Sequence, residues 1–257
     1  MNALEIVKTR KSVRKFDGTG LTDEDLERIK KEMLNTSNPF GVDVSFVLLD
    51  GEKEKLSSPV LAGERYFVAG KVKKVENAEV AYGYAFEQFV LSAWNMGIGT
   101  VWIGGTMKRE AFEKAAMLGA DEMMPCMTPI GYPAKKRSVK ETMMRKGVGA
   151  DKRMPDSELF FMEERNTKIN LALELVRWAP SAVNKQPWRI VQKENKYHFY
   201  EKQDKGYVSD KTGDLQKIDI GIAMRHFTLA FDNFAIEIED PRLDYEWNYV
   251  ASVVVNE

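Results

Sequence analysis

The most informative stretch of this sequence is Ala179-Pro180-Ser181-Ala182-Val183-Asn184-Lys185-Gln186-Pro187-Trp188. It follows a helical pattern and leads through Pro187 into a predicted strand. The prolines restrict the backbone near both ends, and three hydrogen-bonding side chains lie between them. Two explanations stay open: a loop that holds donors and acceptors against a planar polar ligand, and an ordinary helix-to-strand connection.

Beyond this stretch, patterns typical of helices and of strands follow one another along the chain without strict alternation. Apolar spacing predicts helices at residues 3–10, from Thr22 to 34, and at 77–96, 108–118, 166–178 and 215–231. Stretches typical of strands are 42–50, 98–103, 127–132, 188–193, 197–202, 234–239 and 245–255. Gly97 is well placed to end the long helix in a left-handed conformation. The pattern predicts an α+β fold rather than a doubly wound sheet.

A weak internal repeat organises these elements. A shift of 138 residues superimposes the two long helices. The matched pairs are Gly83 and Gly221, Ala85 and Ala223, Phe89 and Phe227, Leu91 and Leu229, Asn95 and Asn233, and Ile98 and Ile236. A shift of 144 residues places Ser37 on Ser181 and Val47 on Val191. Chance similarity between two amphipathic helices would also produce matches of this kind.

If the repeat is real, each half corresponds to one subunit of a two-fold dimer, fused into a single chain. We expect a first half over residues 1–150 and a second over 151–257, together forming one compact unit. Residues 145–155, rich in glycine and basic residues, would then be an exposed connection.

Composition excludes several classes of protein. Thirty-eight Lys and Arg against 39 Asp and Glu leave a net charge of −1, so the chain has no overall positive charge that would attract nucleic acid. A single cysteine and two histidines argue against a disulfide and against a metal site. No apolar run reaches the roughly 18 residues that span a bilayer. Basic residues occupy the position of a signal-peptide core, which predicts a cytoplasmic protein.

Most residues that could carry chemistry have a structural explanation. Residues 63–71 lack the spacing and hydroxyl residue of a phosphate-binding P-loop. The pattern favours structural roles for His198, in an alternating strand, and for His226, inside an amphipathic helix. Cys126 precedes a strand and is expected to be an inert core thiol.

Two other stretches remain as candidates for ligand binding. Residues 9–16 carry four cations and a hydroxyl after the first helix, which suits a phosphate, although a solvated basic turn has the same composition. Residues 97–105 contain four glycines around a predicted strand, which lets a ligand approach the backbone. A plain strand followed by a turn explains the second stretch equally well.

Taken together, these stretches resemble the FMN-dependent nitroreductase family. Arg10-Lys11-Ser12-Val13-Arg14 matches the opening Arg-Arg-Ser-x-Arg motif of that family, and residues 179–188 match its Ala-Pro-Ser-x-x-Asn-x-Gln-Pro-Trp loop. Residues 97–105 resemble the strand that passes the flavin ring, and residues 130–137 resemble a late Gly-Tyr-Pro segment with a basic residue, Arg137. The resemblance implies central mixed or antiparallel sheets flanked by helices.

The order of the motifs departs from the family. The family's loop usually follows the opening motif within the same half, whereas residues 35–40 occupy that place here. In the family's homodimer each flavin lies at the subunit interface and takes one motif from each subunit. The sequence therefore resembles a fused, pseudo-dimeric branch in which a monomer acts as its own dimer. This implies one complete site, one degenerate site and one FMN per chain.

The resemblance also implies the residues of the site and the reaction. The expected cofactor-binding residues are Arg10, Lys11, Ser12, Arg14, Ile103, Gly104, Gly105, Arg137, Pro180, Ser181, Ala182 and Asn184. Arg10, Lys11 and Arg137 would hold the phosphate and Ser12 the ribityl chain. Arg14 would stabilise negative charge at the pyrimidine edge, and the two glycines would offer N–H groups near the reactive nitrogen. No side-chain nucleophile or metal is needed.

The implied activity is ping-pong reduction of nitroaromatic or quinone-type acceptors by NADH or NADPH. The only partner implied is this small-molecule electron acceptor. Two alternatives keep the same scaffold: a flavin-binding or ligand-sensing protein without turnover, and a different flavin reaction, because relatives include dehalogenases and a flavin-fragmenting enzyme.

Overall fold

The computed structural model describes residues 1–255. The helices are α1 Ala3–Thr9, α2 Asp23–Asn35, α3 Ala78–Asn95, α4 Arg109–Ala115, α5 Val139–Gly147, α6 Asp156–Leu159, α7 Thr167–Arg177 and α8 Leu215–Thr228. The strands are β1 Val44–Asp50, β2 Tyr66–Lys73, β3 Glu122–Met123, β4 Met127–Ile130, β5 Phe160–Phe161, β6 Trp188–Lys193, β7 Lys196–Glu201, β8 Val208–Ser209, β9 Gly213–Asp214, β10 Phe234–Glu237 and β11 Asn248–Val255. The α+β prediction is confirmed.

The strands form two main sheets, one in each half. In the first sheet β2 pairs antiparallel with β1 on one edge and with β3 and β4 on the other. Gly99 and Ile103 then pair with the far edge of β4 through isolated bridges. The second sheet has the order β10-β11-β7-β6-β5, antiparallel except for the β5–β6 pair. A small hairpin, β8–β9, stands apart.

The two halves have the same topology. In the first sheet the order is β1, β2, β4 and then residues 99–103, and in the second it is β6, β7, β11 and then β10. In each half a long helix, α3 or α8, follows the second of these strands along the chain. The predicted fold with two pseudo-symmetric halves is therefore confirmed, whereas the boundary at residue 150 stays a prediction.

The two long helices pack against each other at the centre of the molecule. A Cβ atom on Gly83 would overlap the carbonyl oxygen of Ile218, and one on Gly221 would overlap that of Val80. These two contacts are equivalent under the 138-residue shift, because it relates Gly83 to Gly221 and Val80 to Ile218. The glycine match found in the sequence thus marks a close helix crossing, which only a residue without a side chain permits.

Local signals explain where the long helices begin and end. Thr22 caps α2 by accepting a hydrogen bond from the Asp25 N–H, as its position before three acidic residues predicts. Gly97 adopts φ +80° immediately after α3, which confirms the predicted left-handed end. Asp214 caps α8 by accepting from the N–H groups of Gln216 and Lys217.

The sequence reading missed one central strand and several short elements. Strand β2 overlaps residues 63–71, and its pattern is uninformative because its central residues are buried on both faces. Gly70 within it leaves room for the ring of Tyr82. The predicted strand at 98–103 forms only isolated bridges instead of a continuous ladder.

The prediction of an exposed connection at 145–155 is wrong in part. Helix α5 occupies its beginning, and Arg145 and Arg153 turn inward against the cavity described below. Asn184 holds the segment by donating to the carbonyl oxygens of Gly149 and Lys152. Over residues 1–255, no helix has the length and apolar character needed to cross a bilayer.

Candidate functional site

A cavity of about 640 Å³ opens between the two halves. Every residue that the sequence predicted as cofactor-binding lines this cavity. They are Arg10, Lys11, Ser12, Arg14, Ile103, Gly104, Gly105 and Arg137 from the first half, and Pro180, Ser181, Ala182 and Asn184 from the second. Residues up to 174 positions apart in the chain, Arg10 and Asn184, therefore meet around one cavity, as the composite-site hypothesis requires.

The opening motif is positioned by the glycine-rich segment. The N–H of Val13 donates to the carbonyl oxygen of Thr100 at 2.8 Å, in a parallel bridge at Ser12. A Cβ atom on Gly99 would lie 2.9 Å from the Val13 side chain, so glycine is needed for this approach. Because the bridge is formed at Ser12, it fixes the backbone of the opening motif at the cavity wall.

The glycine-rich segment is itself held by an arginine that the sequence analysis did not find. Arg109 donates to the carbonyl oxygens of Gly104 and Met124, both at 2.6 Å, and to that of Pro125 at 3.1 Å. Gly104 faces the thiol of Cys126, where a Cβ atom would lie 3.1 Å from the sulfur. Gly105 borders open space, so its backbone is accessible to a ligand.

The second-half loop uses its polar side chains to hold its own shape. The Ser181 hydroxyl accepts from the Gln186 N–H at 2.9 Å, which still leaves its proton to be donated. Val183, Asn184 and Gln186 all have φ between +43° and +60°, an uncommon conformation for residues with side chains. The backbone strain and the internal hydrogen bonds together indicate a loop built for one conformation.

Five arginines line the cavity, and four of them, Arg10, Arg14, Arg145 and Arg153, repel one another. Burial lowers the pKa of Arg10, Arg14 and Arg153, and the positive charge of Arg145 lowers each of these pKa values further. Arginine nevertheless stays protonated, so the crowding is a repulsion that an anion in the cavity would relieve. Neither Arg145 nor Arg153 belongs to a motif, and only their inward placement by the connecting segment shows that they belong here.

Two groups that can lose a proton, the Cys126 thiol and the Asp219 carboxyl, also line the cavity. Burial raises the pKa of the Cys126 thiol to about 12, which keeps it protonated and unreactive. Burial likewise raises the pKa of Asp219 well above its usual range, and the charges of Asp214 and Glu201 add to this. Asp219 accepts a hydrogen bond from the Ala182 N–H, with its two oxygens at 3.1 and 3.2 Å. Among the described residues, no group of metal-ligating side chains comes together.

We expect Asp219→Asn to stabilise the protein, and more so as the pH rises. With a raised pKa, folded Asp219 keeps a proton that the unfolded chain releases above about pH 4, so stability falls with rising pH in that window. Asparagine still accepts from the Ala182 N–H and has no proton to lose. Urea unfolding at pH 5, 7 and 9 measures the difference, and an equal difference at every pH would contradict the assignment.

Large side chains lie at the pseudo-symmetric position of part of the cavity wall. The cavity wall includes Asp219 and Ile222 on α8, and the 138-residue shift relates Ile222 to Tyr84 on α3. The Tyr84 ring packs edge-on against Phe40 at 6.3 Å, and its hydroxyl lies 2.8 Å from that of Thr228. Phe40 ends the segment that replaces the polar loop in the first half. Large side chains therefore lie at the positions that correspond to part of the cavity wall.

Two α+β halves enclosing one cavity, with cations from one half and a polar loop from the other, define a protein of the nitroreductase fold. A "putative nitroreductase" from Thermotoga maritima is similar over 100% of this chain and 95% of its own, with 21% identity and a TM-score of 0.66. The family model described as "Putative TM nitroreductase" matches residues 2–231, and the chain belongs to this family. The family supports a general nitroreductase-type oxidoreductase function.

Other solved structures match about half of the chain. A nitroreductase family protein from Clostridium novyi NT is 21% identical over 52% of this chain and 87% of its own, with a TM-score of 0.45. An "FMN-dependent Nitroreductase" from Clostridium difficile R20291 is 19% identical over 52% and 88%, with a TM-score of 0.43. No curated protein sequence matches this chain.

Proposed function

We propose that the protein is an FMN-dependent NAD(P)H oxidoreductase that reduces nitroaromatic or quinone-type acceptors. The observation that carries this proposal is the single cavity in which the basic opening motif and the polar loop meet. Family membership supports the oxidoreductase class, and the identity of the cofactor rests on the site.

The residues of the cavity fit a planar ligand with a phosphate group. The buried Nε atoms of Arg10 and Arg153 have no hydrogen-bond partner within the protein, so both can donate to an anion in the cavity. Planar guanidinium groups bind phosphate oxygens through paired hydrogen bonds. Gly104 and Gly105 present backbone without side chains, and apolar walls such as Ile218 and Ile222 can cover a ring.

In the proposed site, each group of residues has one task. Arg10, Lys11 and Arg137 bind the phosphate, and Ser12 binds the ribityl chain. Arg14 would supply a positive charge that stabilises the electron density gained by the cofactor, which would favour two-electron over one-electron reduction. The N–H groups of Gly104 and Gly105 orient the ring, and the second-half loop closes the cavity. FMN, when bound, supplies the hydride chemistry between NAD(P)H and the acceptor.

We further propose that one chain binds one FMN and works as a monomer. The composite cavity already contains contributions from both halves, so no second copy is needed to complete it. The contact between Phe40 and Tyr84 supports a single site, because aromatic rings lie at the position related to the cavity wall.

The test is titration of the purified protein with FMN, followed through the visible absorption of the flavin. We expect saturation at one FMN per chain and NAD(P)H oxidation when a nitroaromatic or quinone is added. Two FMN per chain would contradict the proposal of a single site. Binding without NAD(P)H oxidation would favour a flavin-binding or ligand-sensing protein on the same fold, and absence of binding would refute the flavin proposal.

A further inference from the structure

A fully buried acidic residue and a fully buried histidine lie beside the cavity wall. Glu87 on α3 and His226 on α8 are both 0% exposed, and the 3.0 Å contact between Glu87 Oε1 and His226 Nε2 joins the two halves. Neither residue lines the cavity, and neither belongs to a motif identified in the sequence. They can therefore influence the cavity only through the side chains that they contact.

The hydrogen bonds of His226 fix where its protons lie. Nδ1 faces the carbonyl oxygen of Leu175 at 2.9 Å, and because a carbonyl only accepts, Nδ1 must carry a proton. Nε2 faces a carboxylate oxygen of Glu87, so a second proton must lie between these two atoms. The Glu87 carboxylate also accepts from Trp102 Nε1 and lies 4.0 Å from the Arg10 guanidinium, and both contacts favour its charged form, so this proton belongs to the histidine. The pair is an imidazolium and a carboxylate, with no net charge.

Both oxygens of the Glu87 carboxylate accept hydrogen bonds from groups other than Arg10. Glu87 Oε1 accepts from His226, and Oε2 accepts from Trp102 Nε1 at 2.9 Å. Arg10 Nε lies 4.0 Å from Oε1, beyond hydrogen-bond distance, and is a buried donor without a partner. Glu87 is thus near enough to hold Arg10 in place but is already bonded and neutralised by other groups.

We propose that His226 is a positioning residue that neutralises Glu87 and thereby keeps the charge of Arg10 available for an anion in the cavity. This inference rests on the proposed phosphate-binding function of Arg10. Without His226, the buried carboxylate would be unpaired, and Arg10 would have to satisfy it. A strong ion pair between Arg10 and Glu87 would then compete with the phosphate of FMN.

The protonation of His226 can be measured without any cofactor. The chain has two histidines, so ¹⁵N-labelled apo-protein gives only two imidazole spin systems in a long-range ¹H–¹⁵N spectrum, and a His198→Gln variant assigns them. At pH 7.5 we expect both ring nitrogens of His226 to show protonated chemical shifts. A lone-pair shift at Nε2 would overturn the inference, whatever the cofactor proves to be.

The functional consequence is tested with FMN and with riboflavin, which lacks the phosphate. We expect His226→Leu to weaken FMN binding roughly 10- to 100-fold, the size of one charge-assisted hydrogen bond, while riboflavin binding stays unchanged. The double variant with Glu87→Gln removes both members of the pair and should restore FMN affinity. Equal weakening for both ligands, or no rescue, would mean that His226 has only a structural role and would overturn the inference.

FMN binding by the unaltered protein distinguishes failure of this inference from failure of the proposed function. If it fails to bind FMN, the flavin proposal fails and the role of His226 in phosphate binding fails with it. If it binds FMN and His226→Leu binds FMN equally well, the flavin proposal stands and only the role of His226 is refuted.

Discussion

Gly83→Ala is expected to lower the free energy of unfolding by about 3 kcal/mol or more, at the upper end of overpacking effects. A methyl group at this position would overlap the carbonyl oxygen of Ile218, which belongs to the backbone of α8 and cannot rotate away. The two helices would have to separate, and the separation would disturb packing along the whole crossing. Urea or thermal unfolding of the purified variant measures the loss.

The pseudo-symmetry of the crossing provides a second, independent variant. Gly221→Ala should destabilise the protein to a similar extent, because its methyl group would overlap the carbonyl oxygen of Val80. Gly147→Ala is the matched control: it lies in the last turn of α5, where a Cβ atom would meet nothing within 4 Å. We expect a change of less than about 0.5 kcal/mol there. Mild effects at Gly83 and Gly221 would show that the helices pack less closely than described.

The central crossing also shows why the repeat was detectable in the sequence. Only glycine lets the two helix backbones approach this closely, so each half has glycine at the equivalent position. The shift of 138 residues therefore aligns Gly83 with Gly221. Strand β2 carries no such signature. Its central residues are buried on both faces and therefore lack the alternation by which strands are recognised.

The site was predictable to the extent that it consists of contiguous motifs. Residues 10–14 and 179–188 are short contiguous stretches, each recognisable by itself, and residues from both line the cavity. Arg145 and Arg153 come from a segment whose basic residues suggest solvent exposure, whereas tertiary contacts, among them those of Asn184 and Gln186, hold it against the cavity. The pairing of Glu87 with His226 depends on helix packing between halves, which no local pattern records.

Arg10→Ala is expected to weaken FMN binding roughly 100-fold, because a planar guanidinium donates more than one charge-assisted hydrogen bond to a phosphate. The variant leaves the neutral Glu87–His226 pair intact, so little destabilisation should accompany the loss of affinity. Lys15→Ala is the matched control, since it removes the same charge from the same segment at a residue outside the cavity wall. Its FMN affinity should change less than about threefold. Equal losses in both variants would indicate a general electrostatic effect instead of a specific site.

The composite nature of the site predicts a second loss from the other half of the chain. Ser181→Ala removes the hydroxyl that accepts from the Gln186 N–H and that has a proton to donate, so we expect FMN affinity to fall about 5- to 10-fold. Ser157→Ala, at an exposed serine outside the cavity, is the control. Arg10 and Ser181 lie 171 positions apart in the chain, so a shared loss of affinity requires a ligand that touches both halves. Flavin retention in both variants would place the cofactor elsewhere, whereas loss in Arg10→Ala alone would confine it to the first half.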